Sequence, residues 1–235
     1  MREPATRLNR RRAHTRAALI GAARRLLAED RTAVSVLEIT QTADVGLGSF
    51  YNHFESKQDL FDAAIEEMLE AHGRLMDAVS DGIADPAEAF TRSFRLTGRL
   101  HRRYPGASRV LLNHGTRVLV SDHGLAPRAL RDITAATAAG RFTVPDADVA
   151  LVAAAGAMLA LGQLLHDQAD RNAEQATDQL TENLLRMFGL PPDQAVDLCH
   201  RPLPDVDHVV AAAQLDRRGG IRVDSLAVNP PRTLD

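Results

Sequence analysis

Apolar residues recur at helical spacing along most of this chain. One apolar stripe predicts a helix over about residues 15–29, and a wider stripe predicts another from Lys57 to about Asp81. Between them lie two short apolar-polar segments, 36–43 and 47–54. Three helices with matching apolar stripes can enclose one small core, so residues 12–72 are expected to fold as a compact helical head.

The short central segments have clear boundaries. Ser35 and Glu38 form a capping box that starts a helix at Val36, and this helix is expected to end near Ala43. The break falls at 44–46, where Asp and Gly tolerate left-handed backbone. Phe50 and Phe54 are four residues apart and are predicted to face the core. Residues 35–54 therefore have the pattern of a helix-turn-helix, the motif that places its second helix in the major groove.

Residues 48–57, with the sequence GSFYNHFESK, resemble the recognition helix of the TetR (tetracycline-repressor-like) family of bacterial transcriptional regulators. The resemblance covers roughly residues 12–72. It implies that Ser49, Tyr51 and His53 touch phosphates or base edges, and that Lys57 contacts a phosphate. The chain departs from the family pattern at four positions, which are Thr40, Asp44, Gly46 and Leu47.

A DNA-contacting surface is the first site that the sequence predicts. Leu47 could meet a thymine methyl group in place of a polar contact. The Tyr51 ring could instead lie half-buried in the small core. The candidate residues are Arg12, Ser35, Thr40, Leu47, Gly48, Ser49, Tyr51, Asn52, His53 and Lys57.

Charge changes this picture only at the N-terminus. The whole chain has a net charge of -3, but its first 16 residues contain six Arg and one Glu. Residues 1–11 are therefore predicted to form a basic arm that neutralises phosphates or enters the minor groove. A solvated terminus without a DNA contact is the alternative.

The remaining residues are predicted to be helical as well. Aromatic residues make up 4% of the chain, Trp is absent, and β-branched alternation is scarce, so the fold class is all-α. Helices are expected from Pro86 to about 103, at 108–113, at 126–139 with Gly140 as the stop, at 149–165 and at 173–188. Residues 73–201 would form an effector-binding and dimerisation domain. Residues 202–235 would be a partly disordered tail, with one possible helix at 208–215 and a less favoured strand at 221–228.

The apolar run from Val149 to Leu165 raises the question of a membrane. It has 17 residues diluted by Ala and Gly, whereas a span needs about 20 strongly apolar residues, so a buried helix is predicted instead. The family resemblance implies that the last two long helices pair with a second subunit, although burial within one subunit is the alternative. The candidate interface residues are Ala153, Gly156, Ala157, Ala160, Leu180 and Leu184.

No motif in the sequence identifies the small molecule that the protein binds. The mixture of apolar and polar residues on the segments expected to surround a pocket favours a lipophilic ligand. The alternative, which is the commoner role for each of these residue types, is a simple core residue. The candidates are Phe94, Thr97, His101, Tyr104, Leu111, His114, Met158 and Gln163.

Enzyme chemistry has little support in the sequence. No metal-binding or nucleophile motif is present, and only a chance convergence of His101, His114 and His123 would make a metal site. Cys199 is the single cysteine and is expected to be inert. No cofactor is predicted, and the cysteine usage fits the bacterial cytoplasm.

Two functions from different classes follow from these patterns. The first is a homodimeric repressor that binds palindromic operator DNA and is released by a small-molecule effector. The second is an all-α small-molecule-binding protein or enzyme whose helix-turn-helix is a relic.

Overall fold

The computed structural model describes residues 7–115, 123–205 and Asp207. Within these residues the chain forms helices and no strand, which confirms the all-α prediction. The helices are α1 (Arg7–Ala28), α2 (Val36–Thr42), α3 (Leu47–Phe50), α4 (Lys57–Ser80), α5 (Pro86–Arg103), α6 (Pro105–Asn113), α7 (Leu125–Ala138), α8 (Ala147–Asp167), α9 (Ala173–Met187) and α10 (Pro192–His200).

The described chain divides into two compact units. The division falls between Met68 and Leu69, inside α4. The boundary predicted at residue 72 lies about one helical turn later in the same helix. The first unit contains α1, α2, α3 and the start of α4, and the second contains the remaining helices.

The first unit is held by a small apolar core and by helix caps. Leu19, Ile39 and Phe50 are fully buried, as their spacing predicts. The Ser35 hydroxyl accepts from the Glu38 amide at 3.1 Å. The Glu38 carboxylate pairs with Arg31 instead of completing a capping box. A complete box does form at the start of α4, where the Ser56 and Asp59 side chains each accept from the other's main-chain amide.

Helix α1 is longer than the sequence pattern suggested. It begins at Arg7 rather than near Thr15, so residues 7–11 of the expected basic arm are helical. The physical reason is local, since Ala, Leu and Arg favour helices and neither Gly nor Pro occurs between residues 5 and 20. Residues 1–6 of the expected arm lie outside the described residues.

The core of the second unit is built around α5, which packs against α7, α8 and α9. Phe90 on α5 makes ring contacts with Phe142 at 5.8 Å and with Phe188 at 5.7 Å. Phe142 and Phe188 also meet each other at 5.2 Å. These three rings form an aromatic cluster within the core of the second unit.

Two helices begin at prolines that lie outside the predicted helix bounds. Helix α6 starts at Pro105, and α10 starts at Pro192 in a stretch where no helix was predicted. Proline at the first helical position lacks only an amide that would have no helical partner, so it can begin a helix as well as end one. The possible helix at 208–215 and the possible strand at 221–228 lie outside the described residues.

Helix α8 has an apolar surface on more than one side. By length and composition alone it could cross a membrane, but a core helix of a soluble protein passes the same test. Ala154, Leu161 and Leu165 on one side are buried, whereas Val149 and Val152 on the other are exposed. The alternative that this helix is buried all round within one subunit therefore does not hold for its second side.

Candidate functional site

The helix-turn-helix of the first unit depends on a tight turn between α2 and α3. Asp44 has a φ of 54°, in the left-handed region that Asp tolerates better than most residues. The amides of Asp44 and Val45 donate to the carbonyls of Gln41 and Thr40, at 3.2 and 3.0 Å. These bonds end α2 and redirect the chain, so that α3 begins at Leu47.

Helix α3 and the turn after it present an exposed surface, which we call the recognition surface. It is formed by Leu47, Gly48, Tyr51 and Asn52, with Ser49 and His53 partly exposed at its edge. Tyr51 is 62% exposed, so its ring is not half-buried in the core. Phe50 and Phe54 point inward, as predicted. The two kinds of residue alternate because the helix period places them on opposite sides.

Basic residues of α1 flank the recognition surface. Arg12 Nη2 lies 3.4 Å from the Asn52 carbonyl. The Arg16 guanidinium lies 5.5 Å from the centre of the Phe54 ring and 3.0 Å from a Glu67 carboxylate oxygen. Burial and the nearby Arg12 and Arg16 charges lower the pKa of His53, which favours its neutral form.

The structure changes the reading of three candidate DNA contacts. Thr40 is only 1% exposed, and its hydroxyl donates to the Leu37 carbonyl, so it is a core residue rather than a surface contact. The Ser35 hydroxyl accepts as the cap of α2. Lys57 is exposed, but its ammonium donates to the Val34 carbonyl at 3.1 Å. Lys57 would have to release this carbonyl or share its donors to reach a phosphate.

The second unit contains a cavity of about 100 Å³. Five of the eight predicted effector residues line it, which are Phe94, Thr97, His101, Leu111 and Met158. Phe94, Thr97 and His101 follow one another on α5 at spacings of three and four residues, so they share one side of that helix.

The other three predicted effector residues do not line the cavity. The Tyr104 hydroxyl donates to Asp207, and the exposed Gln163 donates to Asp167 on its own helix at 2.8 Å. His114 is half-buried at the end of α6. Helical spacing placed these residues on the correct segments but could not show which way each side chain turns.

Helix α7 supplies a charged wall of the cavity, whose residues were not among the predicted effector contacts. Arg128, Arg131 and Asp132 line the cavity together with apolar side chains. Arg131 Nε donates to Asp132 Oδ1 at 3.0 Å. Burial raises the pKa of Asp132 although the Arg131 hydrogen bond opposes this shift. The available signal was a cluster of charges on a helix otherwise rich in Ala, a composition that also fits a solvated helix.

Arg128 connects the cavity wall to α4. Its guanidinium donates to Asp77 at 2.6 Å and to both carboxylate oxygens of Glu70 at 3.0 and 3.1 Å. Gly73 makes this approach possible, because a Cβ at that position would lie 2.4 Å from Arg128 Nη1. The hydrogen bond from Arg128 lowers the pKa of Glu70.

The predicted dimer residues fall into three groups. Gly156 and Ala160 are exposed on the same side of α8 as Val149 and Val152. Ala153, Ala157 and Leu180 are partly exposed. Leu184 is buried in the core of its own subunit, so it is not available to a partner.

The described residues offer little to metal or thiol chemistry. Among residues 7–115, 123–205 and 207, no group of three or more His, Cys, Asp or Glu could hold a metal ion. Burial raises the pKa of the Cys199 thiol to about 11, which keeps it protonated at neutral pH.

A chain with a helix-turn-helix in one unit and a ligand-sized cavity in another has the parts of a ligand-regulated DNA-binding protein. Comparison with known protein families identifies which family of such proteins the chain belongs to. The family model for bacterial regulatory proteins of the tetR family matches residues 19–64. The model for the tetracyclin repressor-like C-terminal domain matches residues 85–201. The chain belongs to the TetR family, and it is a ligand-regulated DNA-binding repressor.

Solved structures agree with this assignment. RolR in complex with resorcinol is 32% identical, with a TM-score of 0.62, and the match covers 84% of this chain and 98% of RolR. Two more distant structures show the fold alone. A tetR family regulator from Shewanella sp. PV-4 is 15% identical, with a TM-score of 0.63, over 75% of this chain and 99% of its own. A gamma-butyrolactone receptor (ArpA-like protein) is 22% identical, with a TM-score of 0.56, and the match covers 84% of this chain and 98% of the receptor chain. No curated protein sequence matches the chain.

Proposed function

We propose that this chain is a cytoplasmic homodimeric repressor that binds a palindromic operator and leaves it when a small hydroxylated aromatic compound enters the cavity. The single observation that carries the effector class is the cavity itself. It is enclosed largely by apolar side chains and has one charged wall on α7. Membership of a family of regulators argues against the alternative of an enzyme with a relic helix-turn-helix.

The size of the cavity limits the effector. A cavity of about 150 Å³ holds benzene in another protein, and the cavity here is about 100 Å³. The two are of the same order, so a single aromatic ring is a better fit than a long chain or several fused rings. Asp132 and the two arginines would pair with polar groups on the ring, since buried polar atoms need partners. The relative RolR was solved with resorcinol, a ring of this size with two hydroxyl groups.

The effector test uses resorcinol as the probe. Labelled DNA from the region upstream of the gene is bound by the full-length protein, and resorcinol is added while fluorescence anisotropy is recorded. Release of DNA by resorcinol supports the proposal. Benzoate at the same concentration is the comparison, because a buried carboxylate would face Asp132. Stronger release by benzoate than by resorcinol would contradict the proposed effector class.

The recognition surface is the proposed DNA contact. We assign Leu47, Tyr51 and Asn52 to the major groove because they are exposed together on α3 and its following turn. Asn52→Ala is expected to weaken operator binding by about 10-fold, since a good side-chain contact to a base contributes about 1–3 kcal/mol. Asn113→Ala is the matched control, because Asn113 is exposed in the second unit. Equal affinities for the two variants would remove Asn52 from the interface.

The exposed side of α8 is the proposed dimer contact. Val149 and Val152 are 66% and 61% exposed, and Gly156 and Ala160 continue the same side. Small residues would let two helices approach closely, and a two-fold dimer would double the length of DNA that one helix-turn-helix reads. Val152→Asp should therefore produce monomers in sedimentation experiments at micromolar concentration. A Val152→Asp protein that remains dimeric would place the interface elsewhere.

Coupling between the ligand and DNA would pass through Arg128. This side chain lines the cavity and also donates to Glu70 and Asp77 on α4. Helix α4 begins at Lys57, directly after the helix-turn-helix. An effector that competes for these donors would change the contacts that position α4. By linkage, operator DNA should weaken resorcinol binding by the same factor by which resorcinol weakens operator binding.

A further inference from the structure

Three polar side chains on different helices form a hydrogen-bonded chain that ends at the cavity. His101 Nδ1 on α5 lies 2.6 Å from Ser108 Oγ on α6. The same oxygen lies 2.9 Å from His166 Nε2 on α8. His101 is 3% exposed and lines the cavity, whereas His166 is half-buried. Ser108 therefore fixes one nitrogen of the His101 ring and leaves the other for a different partner.

The second nitrogen of His101 has no partner. His101 Nε2 is buried and makes no hydrogen bond, a condition it shares only with Arg99 Nη1 among the side-chain atoms of the described residues. The Met158 carbonyl is close enough to favour the charged ring, but it does not meet hydrogen-bond geometry. Buried polar atoms are usually paired, so an unpaired nitrogen on a residue that lines a cavity is a candidate binding group.

The chain makes room for the imidazole at this position. A Cβ on Gly162 of α8 would lie 2.5 Å from His101 Cε1 and 3.0 Å from Nε2. Any larger residue at 162 would have to push the ring away. The glycine and the Ser108 hydrogen bond together hold the imidazole in one place, which is what a binding group requires.

The ring is neutral at physiological pH. Burial lowers the pKa of His101 to about 4, and the nearby His166 adds to this shift. A neutral imidazole offers either a donor or an acceptor at Nε2, depending on the tautomer that Ser108 and His166 select. A hydroxyl group can serve either tautomer because it donates and accepts. A carboxylate only accepts, so it would fit only the tautomer that carries the proton on Nε2.

We infer that His101 Nε2 binds a hydroxyl group of the effector, and that the Ser108–His166 pair sets whether this nitrogen donates or accepts. The inference rests on the proposed function and adds a second polar contact on α5 to the charged wall on α7. A ring with two hydroxyl groups could bind both His101 Nε2 and the charged wall on α7. A ring with one hydroxyl group would leave one of these two binding groups unpaired.

Titration calorimetry with resorcinol and phenol tests this assignment on the full-length protein. His101→Asn keeps a polar atom near the Nδ1 position for Ser108 and removes Nε2. We expect this variant to bind resorcinol about 5- to 10-fold more weakly than the wild type, the effect of one lost hydrogen bond, with little change for phenol. His101→Gln places an amide near the lost nitrogen and should recover part of the preference for resorcinol.

The matched control is His72→Asn. His72 is also a buried histidine, and it contacts Thr97, but it does not line the cavity. The control should keep the wild-type ratio of resorcinol affinity to phenol affinity even if its stability falls. The inference would be overturned if His101→Asn kept the wild-type ratio of resorcinol affinity to phenol affinity. It would also be overturned if His72→Asn lowered this ratio as much as His101→Asn does.

Two further outcomes separate this inference from the proposed function. A wild-type protein that binds operator DNA but neither probe would overturn both the effector class and the role of His101. A wild-type protein that binds resorcinol through His101, but whose operator binding does not respond to it, would support the inference and contradict the proposed release mechanism.

Discussion

Replacement of Asp178 by Asn tests how α5, which carries three of the eight predicted effector residues, is held in place. Asp178 on α9 accepts from Arg95 Nε at 2.7 Å and from Arg99 Nη2 at 2.9 Å. The Arg95 and Arg99 side chains are 6% and 14% exposed. Asp178→Asn would leave two buried guanidinium groups without an opposite charge.

The expected cost can be worked from these burials. Removal of one partner from a buried ion pair costs about 3–5 kcal/mol. The Asp178 side chain is 31% exposed, so solvent screens part of the interaction and we take about 3 kcal/mol. For a chain of this length, each kcal/mol shifts the midpoint of thermal unfolding by about 2–4 °C. Asp178→Asn should therefore lower Tm by about 6–12 °C.

Circular dichroism melts at one fixed protomer concentration provide the assay, because dimerisation makes Tm depend on concentration. The matched control is Asp197→Asn, which breaks the ion pair between Asp197 and Arg201. The Asp197 side chain is 65% exposed. An exposed pair contributes about 0–1 kcal/mol, so the control should shift Tm by only a few degrees. Equal shifts in the two variants would refute the argument from burial.

The pH dependence of the same variant gives a second readout. Burial alone would raise the pKa of Asp178, but the hydrogen bonds from Arg95 and Arg99 outweigh it and lower the pKa. A lowered pKa means that the stabilisation is complete above the unfolded value of about 3.9 and is lost as the pH falls through the folded value. The difference in Tm between wild type and Asp178→Asn should therefore be constant near neutral pH and shrink below about pH 4.

Three more outcomes are expected. Gly162→Ala should weaken resorcinol binding in calorimetry by displacing the His101 ring, and unchanged affinity would show that the ring does not need this space. Lys57→Ala should reduce the slope of log affinity against log salt by about 1 in operator titrations, if Lys57 neutralises one phosphate. Phe188→Ala removes a side chain that is 1% exposed, so it should destabilise the second unit by about 3–5 kcal/mol in urea unfolding. A cost below about 1 kcal/mol would contradict the packing described for the three phenylalanine rings.

The helix-turn-helix could be predicted from sequence because its determinants are local. The Ser35 cap, the left-handed Asp44 and the inward Phe50 and Phe54 are separated by only a few residues, and each appears as expected. Thr40 was the exception. Its hydroxyl bonds to a carbonyl in its own helix, which satisfies the polar atom and lets a residue expected at the surface be buried.

The cavity could be predicted only in part because its walls come from distant segments. Phe94, Thr97 and His101 share a side of α5 that helical spacing reveals. The charged wall on α7 depends on Arg128 meeting Glu70 and Asp77, more than 50 residues away along the chain. No periodicity within α7 distinguishes charges that meet such partners from charges that face water.

The guanidinium of Arg128 has a finite supply of donors, and most are already in use. The guanidinium has five N–H groups, and it donates four hydrogen bonds, one to Asp77, two to Glu70 and one to the Gly124 carbonyl. A compound that fills the cavity through apolar contacts alone would leave these bonds intact, whereas one that draws on the guanidinium must take a donor away from them. Occupancy and induction are then separate properties of a ligand, and an apolar ring without hydroxyl groups should act as a silent competitor of the true effector.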